Sequence, residues 1–255
     1  MRKNILDFQI IDNKKLNKDY FILELFSELT LPDIYPGQFV QVLIDGSSGT
    51  FLRRPFSVHD VNYKTQSIKL LIQIAGNGSK KLSFLKKGDF LNIVFPLGNS
   101  FQVPPKNEKT LLIGGGCGVA PLLYLAKYLH SNSCEFDILM GFRNRDRIIE
   151  YEDYKNLGNV FITTEDGSEG EKGFVTNHSV LAEKKYNRIY CCGPESMMKA
   201  VAAYSRKHQI HCDVSLENLM ACGIGVCLCC VVDTTDGNVC SCTDGPVFNI
   251  NKLKW

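Results

Sequence analysis

The cysteines near the C-terminus constrain the fold of this chain more than any other sequence feature. Eleven cysteines occur in 255 residues, and six of them fall in the last 36: Cys222, Cys227, Cys229, Cys230, Cys240 and Cys242. The segment around them is rich in glycine and has little apolar periodicity, so it cannot build a hydrophobic core of its own. We therefore expect an inorganic centre, held by thiolates, to organise it.

The spacing of these cysteines indicates which centre to expect. A C-x4-C-x2-C…C pattern is typical of a plant-type [2Fe–2S] cluster, in which one tight loop supplies three thiolates and a distant residue supplies the fourth. Glycines inside such a loop let backbone N–H groups approach the sulfides. The predicted ligands are Cys222, Cys227, Cys230 and Cys242.

A structural zinc site is the alternative, because four cysteines also satisfy tetrahedral Zn²⁺. Zinc sites usually combine two short pairs, whereas this pattern has three cysteines and a remote fourth, so the cluster is favoured. Cys229 or Cys240 could in principle replace a neighbouring ligand. We interpret both as bystander thiols.

Composition excludes several functional classes. Lys and Arg together number 29 and Asp and Glu 27, a net charge of +2, so the bulk electrostatics indicate neither a nucleic-acid nor a membrane partner. The first ten residues lack the apolar core of a signal peptide, and no run of 18 apolar residues occurs. We expect a cytoplasmic protein, with the other five cysteines acting as small buried hydrophobes.

Residues 1–104 alternate short β-rich runs with turn residues, which predicts a closed antiparallel barrel or sandwich. One helix is expected at Ser79–Leu85, and the polar, proline-rich stretch at 103–109 is typical of a linker. The predicted strands are Tyr20–Phe26, Gln38–Ile44, Pro55–Val58, Ser67–Ile74 and Phe90–Phe95.

Residues 105–213 change to an alternation of apolar strand, turn and helix, which predicts a parallel sheet covered by helices and a nucleotide-binding α/β domain. Residues 214–255 are expected to form a small C-terminal cluster-binding module. The predicted elements of the α/β domain are strands at Thr110–Ile113, Phe136–Gly141, Asn159–Thr164 and Arg188–Cys192, and helices at Ala120–His130 and Glu195–His208.

Four short motifs suggest phosphate or nucleotide contacts. Glycines before a helix expose free N–H groups to a pyrophosphate, and a nearby arginine can clamp it. Each motif alone is weak, because a plain turn or a surface arginine explains it equally well. The motifs are Arg54-Pro-Phe-Ser57, Gly76-Asn-Gly78-Ser79, the 114–121 loop Gly-Gly-Gly-Cys-Gly-Val-Ala-Pro, and Cys192-Gly193-Pro194.

Together with the cysteine loop, and in this order, the motifs resemble the ferredoxin–NADP reductase superfamily. Within it, the chain is most similar to the electron-transfer subunits of type B, NAD-dependent, dihydroorotate dehydrogenases, over essentially its whole length. The matching segments are 52–57 (Leu-Arg-Arg-Pro-Phe-Ser), 220–227 (Met-Ala-Cys-Gly-Ile-Gly-Val-Cys) and 242–248 (Cys-Thr-Asp-Gly-Pro-Val-Phe). The last of these favours Cys242 over Cys240 as a ligand.

The resemblance implies an antiparallel barrel that binds FAD and a parallel-sheet domain that binds a nicotinamide nucleotide. It implies that Arg54 binds the flavin diphosphate, that Ser57 lies near the flavin N5, and that Pro55 and Phe56 between them also bind the cofactor. It further implies Leu71, Ile72 and Gln73 along the cofactor, Gly78 and Ser79 on the phosphates, and Gly116, Gly118, Cys192 and Gly193 around the nicotinamide nucleotide. Two departures affect the flavin environment: Gln73 stands where relatives often have Arg, and Phe56 where many have Tyr.

Charge favours NAD over NADP as the acceptor. Glu165 and Asp166 follow a strand at the position where NADP-preferring relatives offer basic or hydroxyl groups, and two carboxylates would repel a 2′-phosphate. The basic residues Arg143, Arg145 and Arg147 argue against this preference.

The resemblance implies electron transfer from an FMN-containing dihydroorotate dehydrogenase catalytic subunit, through the [2Fe–2S] cluster and FAD, to NAD⁺, within a heterotetramer. No residue of this chain need act as an acid or base on orotate. One alternative is a diaphorase-type subunit of a sulfhydrogenase or of an NADH:ferredoxin oxidoreductase. The alternative from another class is a zinc-stapled binding protein.

Overall fold

The computed structural model describes residues 3–44 and 50–255, which form two large sheets and a small hairpin. The first sheet comes entirely from the N-terminal part of the chain and the second mainly from the middle. The C-terminal segment packs against both of them. No helix in the described part of the chain is long and apolar enough to cross a membrane.

The first sheet has seven strands, all paired antiparallel, in the order β4-β3-β7-β1-β2-β6-β5. It curls until β4 lies against β6, which gives the predicted barrel. One short helix, α1 (Asn77–Leu82), follows β6. The strands are β1 (Asn4–Lys15), β2 (Tyr20–Phe26), β3 (Phe39–Val42), β4 (Arg54–Ser57), β5 (Asp60–Asn62), β6 (Ser67–Gln73) and β7 (Phe90–Leu97).

The sequence analysis missed β1, the longest strand of the barrel. Its last four residues are polar and its register shifts between Ile10 and Asp12, so apolar alternation stops halfway. β1 is fixed by backbone pairing to β2 on one side and β7 on the other, while Phe8 and Ile10 enter the core. Such pairing leaves little trace in side-chain patterning.

The second sheet has seven strands in the order β11-β10-β9-β8-β12-β13-β16, and all pairs except β13–β16 are parallel. The predicted α/β domain is confirmed. Its strands are β8 (Thr110–Gly115), β9 (Phe136–Phe142), β10 (Asn159–Thr164), β11 (Glu171–Lys172), β12 (Arg188–Cys192) and β13 (His211–Ser215), and its helices are α2 (Ala120–Ser131), α3 (Tyr151–Lys155), α4 (Val180–Glu183) and α5 (Glu195–Lys207).

The C-terminal segment adds a hairpin of β14 (Val231–Thr234) and β15 (Gly237–Cys240), and then β16 (Val247–Asn249), which pairs with β13 at the edge of the second sheet. Cys230, Cys240 and Cys242 of this segment pack instead against β3 and β7 of the barrel. The segment therefore joins both larger sheets. The domain boundaries after residues 104 and 213 stay predictions.

Candidate functional site

A cleft of about 590 Å³ opens at the carboxyl ends of the parallel strands, between the second sheet and the barrel. This is the edge of an open α/β sheet where nucleotides bind. Tyr20 and Gln73 contribute from the barrel, and Gly116, Gly118 and Gly193 from the turns after β8 and β12. Four predicted site residues, Gln73 and the three glycines, thus share one cleft.

The glycine loop after β8 is packed too tightly for side chains. A Cβ on Gly118 would lie 2.2 Å from the Cys192 carbonyl oxygen and 2.5 Å from the Gly193 Cα. Gly116 has φ +53, in the left-handed region that favours glycine. The two predicted nucleotide-binding segments therefore touch through their backbones, which leaves the cleft open for a ligand.

Cys192 lines this contact through its backbone, while its side chain is buried beneath the cleft. Burial, then the neighbouring Glu217 carboxylate, raises the pKa of the Cys192 thiol well above its ordinary value. Burial also raises the pKa of Cys117, inside the loop, to about 12. Both thiols stay protonated at neutral pH, so neither is a nucleophile.

Strand β6 carries the predicted FAD-contacting residues Leu71, Ile72 and Gln73 along the barrel. The Leu71 and Ile72 side chains are buried in two different hydrophobic clusters, which leaves only their backbones for a ligand. Gln73 lines the cleft, and its backbone interacts with the Cys117 thiol. The barrel and the nucleotide loop are thus joined at Gln73.

Strand β4 and helix α1 bring together two residues predicted to hold phosphates. A Cβ on Gly78 would lie 3.8 Å from the Arg54 Nε, so the guanidinium lies over the start of the helix. Ser79 is committed to its own turn, because its Oγ accepts hydrogen bonds from the N–H groups of Ala75 and Gly76. The Arg54–Gly78 approach fits a phosphate-binding cradle.

The rest of β4 is half-buried. Phe56 packs on the barrel core, and Pro55 and Ser57 lie opposite Gln41 and Phe39 of β3. None of these side chains lines the cleft. Their predicted flavin contacts stay predictions.

The charged residues of the cleft divide between those that face it and those engaged elsewhere. Glu165 lines the cleft, whereas Asp166 accepts hydrogen bonds from the Ser168 N–H and hydroxyl. Of the arginines, Arg143 and Arg147 line the cleft and Arg145 pairs with Glu169 at 3.6 Å. Of the two acidic residues to which the sequence analysis assigned the preference for NAD, only Glu165 therefore lines the cleft.

The sequence analysis did not single out Glu217, which lines the cleft just beyond β13. Desolvation raises the pKa of its carboxyl group above the ordinary value. Its position at the carboxyl end of a parallel strand was the available signal. That signal was missed because β13 itself was not recognised.

The four predicted ligand cysteines lie in a loop without regular structure and in the turn after β15. Gly223 and Gly225 have φ +69 and +84, and the Gly225 N–H donates to the Cys242 Sγ at 3.1 Å. The Cys222 thiol interacts with Cys227, and the Cys230 thiol interacts with both Cys242 and Cys240. Three thiolates from one loop and a fourth from a more distant position are typical of a two-iron centre.

The surroundings of the sulfurs favour a cluster. Among residues 3–44 and 50–255, no three His, Cys, Asp or Glu side chains form a group that could hold a metal ion, so the choice between zinc and a cluster rests on the cysteine spacing and on what surrounds the sulfurs. A backbone N–H directed at sulfur and a buried apolar backing are features that stabilise cluster sulfides. The donor set fits a [2Fe–2S] cluster.

The surroundings shift the pKa of Cys222 and that of Cys242 in opposite directions. Burial raises the pKa of the Cys222 thiol, but hydrogen bonds from the Ile224 and Cys227 backbones, the Cys227 side chain and the Val226 backbone outweigh it and lower the pKa to about 6. Burial and the Cys230 thiol raise the pKa of Cys242 to about 12. Cys222 is therefore more readily deprotonated for metal binding than Cys242.

The two bystander candidates differ. The Cys229 thiol turns away and donates to the Leu219 carbonyl oxygen at 3.7 Å. The Cys240 thiol interacts with Cys230 and lies close to the ligand group. The choice of Cys242 over Cys240 stays a prediction.

The sequence of this chain matches family models and relatives of known function. A family model described as the iron–sulfur cluster binding domain of dihydroorotate dehydrogenase B matches residues 217–254, and one described as an oxidoreductase NAD-binding domain matches residues 112–203. A dihydroorotate dehydrogenase B (NAD(+)) electron transfer subunit from Caldanaerobacter subterraneus subsp. tengcongensis is 39% identical over 94% of both chains. The chain belongs to this family. A second member, from Shouchella clausii, is 34% identical over 99% of both chains.

Structural similarity agrees with the family. A solved NADH-dependent reduced ferredoxin-NADP oxidoreductase, described in connection with flavin-based electron bifurcation, superimposes with a TM-score of 0.89 and 28% identity, over 97% of this chain and 90% of the other. The chain is therefore an oxidoreductase component with a reductase-type fold. The predicted cofactors FAD, [2Fe–2S] and NAD are confirmed.

Proposed function

We propose that this chain is the electron-transfer subunit that passes electrons from an FMN-containing dihydroorotate dehydrogenase catalytic subunit, through a [2Fe–2S] cluster and FAD, to NAD⁺ in pyrimidine biosynthesis. The observation that carries the proposal is the hydrogen bond from the Gly225 N–H to the Cys242 Sγ at 3.1 Å, which joins the loop of the first three predicted ligands to the fourth, beside the barrel strand next to β4. The name of the 39% identical relative supports the same role.

Three separate groups of residues bind the cluster, the flavin and the nicotinamide nucleotide. Cys222, Cys227, Cys230 and Cys242 hold the cluster, Arg54 and Gly78 hold the flavin phosphates, and the Gly116–Gly118 loop with Cys192 and Gly193 frames the nicotinamide nucleotide. Bound FAD exchanges electrons in pairs with a nicotinamide and singly with an iron–sulfur centre. The chain therefore needs to position the cluster, the flavin and the nicotinamide nucleotide and to exclude water. It needs no residue that acts as an acid or base on orotate.

The surface around the cysteine loop supports a protein partner. Leu219 is 87% exposed, Val226 75% and Leu228 64%, beside the exposed Cys227 and Cys229. Clustered apolar side chains of this kind mark protein interaction sites. We assign this surface to the catalytic subunit, in a heterotetramer located in the cytoplasm.

The test is anaerobic purification of the chain, alone and co-expressed with the catalytic subunit. We expect about two irons and two acid-labile sulfides per chain, flavin absorption bands, an EPR signal on reduction and co-elution of the two subunits in size-exclusion chromatography. A colourless protein with one zinc would establish the zinc-stapled alternative. Failure to co-elute would overturn the assigned partner.

A diaphorase-type role is the second candidate, and its support is the NADH-dependent ferredoxin-NADP oxidoreductase at TM-score 0.89. The two roles differ in the electron donor. Reduction of NAD⁺ by dihydroorotate in the co-purified complex supports the first role. Activity with ferredoxin and none with dihydroorotate supports the second.

A further inference from the structure

The side chain of Gln41 is buried without a hydrogen-bond partner. The residue lies on β3 and is 0% exposed, and neither its Nε2 nor its Oε1 has a partner in the described part of the chain. Leaving a buried amide unpaired destabilises a protein, because the group loses its hydrogen bonds to water and gains none in return. Such a cost suggests that the amide gains a partner when the protein carries its cofactors.

A neighbouring glutamine shows that burial alone does not explain this. Gln38, just before β3, is 1% exposed, yet its Nε2 donates to the Gly98 carbonyl oxygen at 2.9 Å and its Oε1 accepts from the Tyr35 N–H at 2.8 Å. The barrel therefore satisfies one buried glutamine completely and leaves the other open.

The open amide lies against the cysteine loop. A Cβ on Gly223 would be 2.6 Å from the Gln41 Cγ and 3.0 Å from its Nε2. Gly223 directly follows the predicted ligand Cys222 and has φ +69. Glycine at this position therefore brings the amide next to the loop that holds the sulfurs.

The backbone of Gln41 adjoins the flavin strand at the same time. Gln41 pairs with Pro55 of β4 in the strand register, and its carbonyl oxygen accepts a hydrogen bond from the Arg53 Nη1 at 3.3 Å. The backbone is thus fixed, and the side chain stands between the flavin-binding strand and the cysteine loop.

A carboxamide N–H next to thiolate or sulfide sulfur is a hydrogen-bond donor to negative charge. Such hydrogen bonds stabilise the reduced, more negative form of an iron–sulfur centre and raise its reduction potential. We propose that the Gln41 amide donates a hydrogen bond to a sulfur of the cluster held by Cys222 and its partners, and thereby raises the reduction potential of that cluster. The inference rests on the proposed function and names Gln41 as its tuning residue.

The experiment compares Gln41→Leu with the matched control Gln38→Leu, in which the other buried glutamine is removed. The cluster midpoint potential is measured by EPR-monitored redox titration of the purified holoprotein. We expect Gln41→Leu to reduce its cluster about tenfold less favourably, a fall of about 59 mV for one electron. The potential of Gln38→Leu is expected to stay at the wild-type value.

Thermal unfolding of the holoprotein in its oxidised and reduced states supplies a second readout. Because a hydrogen bond to cluster sulfur is stronger in the reduced, more negative state, Gln41→Leu should lower the unfolding temperature more in that state, whereas Gln38→Leu should lower it equally in both. An unchanged cluster potential in Gln41→Leu overturns the inference and leaves the proposed function intact, as does an equal loss of stability in the two redox states. A wild-type chain without iron overturns both.

Discussion

Gly118 shows how a single missing Cβ shapes the nucleotide site. Because a methyl group there would meet the Cys192 carbonyl oxygen at 2.2 Å, Gly118→Ala must push the loop and the Cys192–Gly193 turn apart. We expect a loss of about 1–3 kcal/mol in unfolding free energy and weaker NADH binding, measured by denaturation and fluorescence titration. Gly88→Ala is the control for a methyl group on a glycine outside the cleft. Its φ is +97 and its Cβ would meet nothing within 4 Å. Equal NADH affinity in Gly118→Ala and the wild type would contradict the model of the cleft.

Cys227 tests the separation of cluster and flavin sites. Cys227→Ser should lose iron and sulfide, because the sulfur paired with Cys222 is removed, but keep FAD and NADH–dye reduction, since Arg54 and the cleft lie on other elements. The measurements are iron and sulfide content, flavin content and dye reduction. Cys229→Ser is the matched control, because its thiol turns toward the Leu219 carbonyl oxygen. Joint loss of both activities in Cys227→Ser would show that the sites depend on each other.

At the scale of elements, β4 and α1 depend on each other through Arg54. Arg54→Ala should weaken FAD retention roughly tenfold or more, since a charge-assisted hydrogen bond contributes about 1.5–3 kcal/mol. Flavin content after dialysis measures the effect. Arg145→Ala, an exposed arginine paired with Glu169, is the control. Unchanged flavin content in Arg54→Ala would refute its role as a phosphate clamp.

Strand β9 is tied to β10 and to the chain around α4 through Asp137. Burial opposes ionisation of Asp137, but hydrogen bonds from Lys184 at 2.9 Å, Asn159 at 2.8 Å and Tyr186 at 2.7 Å outweigh it and lower the pKa of the carboxyl group. A lowered folded-state pKa adds stability above the ordinary value of about 3.9, and this stability disappears as the pH falls through the folded-state value.

The prediction follows from that sign. Between about pH 5 and pH 3, wild-type unfolding free energy should fall more steeply than that of Asp137→Asn, which has no carboxyl group to protonate. Urea denaturation at a series of pH values measures both slopes. Parallel curves would show that Asp137 contributes nothing to acid sensitivity.

At the scale of the whole molecule, a buried polar contact between His59 of the barrel and Ala120 and Glu150 of the α/β domain joins the two. The His59 Nδ1 lies 2.8 Å from the Ala120 carbonyl oxygen and its Nε2 lies 3.1 Å from the Glu150 Oε2, with both side chains at most 5% exposed. One ring nitrogen faces a backbone carbonyl oxygen and the other a carboxyl oxygen, so the imidazole makes a polar contact on each side. Glu150 holds its place with φ +60.

Two substitutions separate pairing from packing at this contact. His59→Leu leaves the Glu150 carboxyl group buried without its partner and should cost about 3–5 kcal/mol. Glu150→Gln should cost far less, since a glutamine amide can donate to the Nε2 of a neutral ring. Thermal unfolding and limited proteolysis between the domains measure the difference. Equal losses of unfolding free energy in both variants would show that the His59–Glu150 contact does not stabilise the protein.

The sequence alone determined the local order of this protein. The predicted bounds agree with the structure to within one residue for β2, β10, β12, α2 and α5. Their apolar periodicity reflects burial directly. The spacing of the cysteines indicated the cluster, because three thiolate ligands come from one short loop and the fourth from a more distant position. The motifs around Arg54 and Gly118 indicated FAD and a nicotinamide nucleotide only through the family resemblance.

Only the tertiary structure decided what lies between these segments. β1 is held by backbone pairing, and β16 returns from the C-terminus to pair with β13. Asp166 turns to its own loop while Glu217 enters the cleft. Gln41 meets Gly223 across 182 positions of sequence. Periodicity and spacing report which side chains are buried and which lie near in sequence, but the partner of a buried group is set by how distant strands and loops pack.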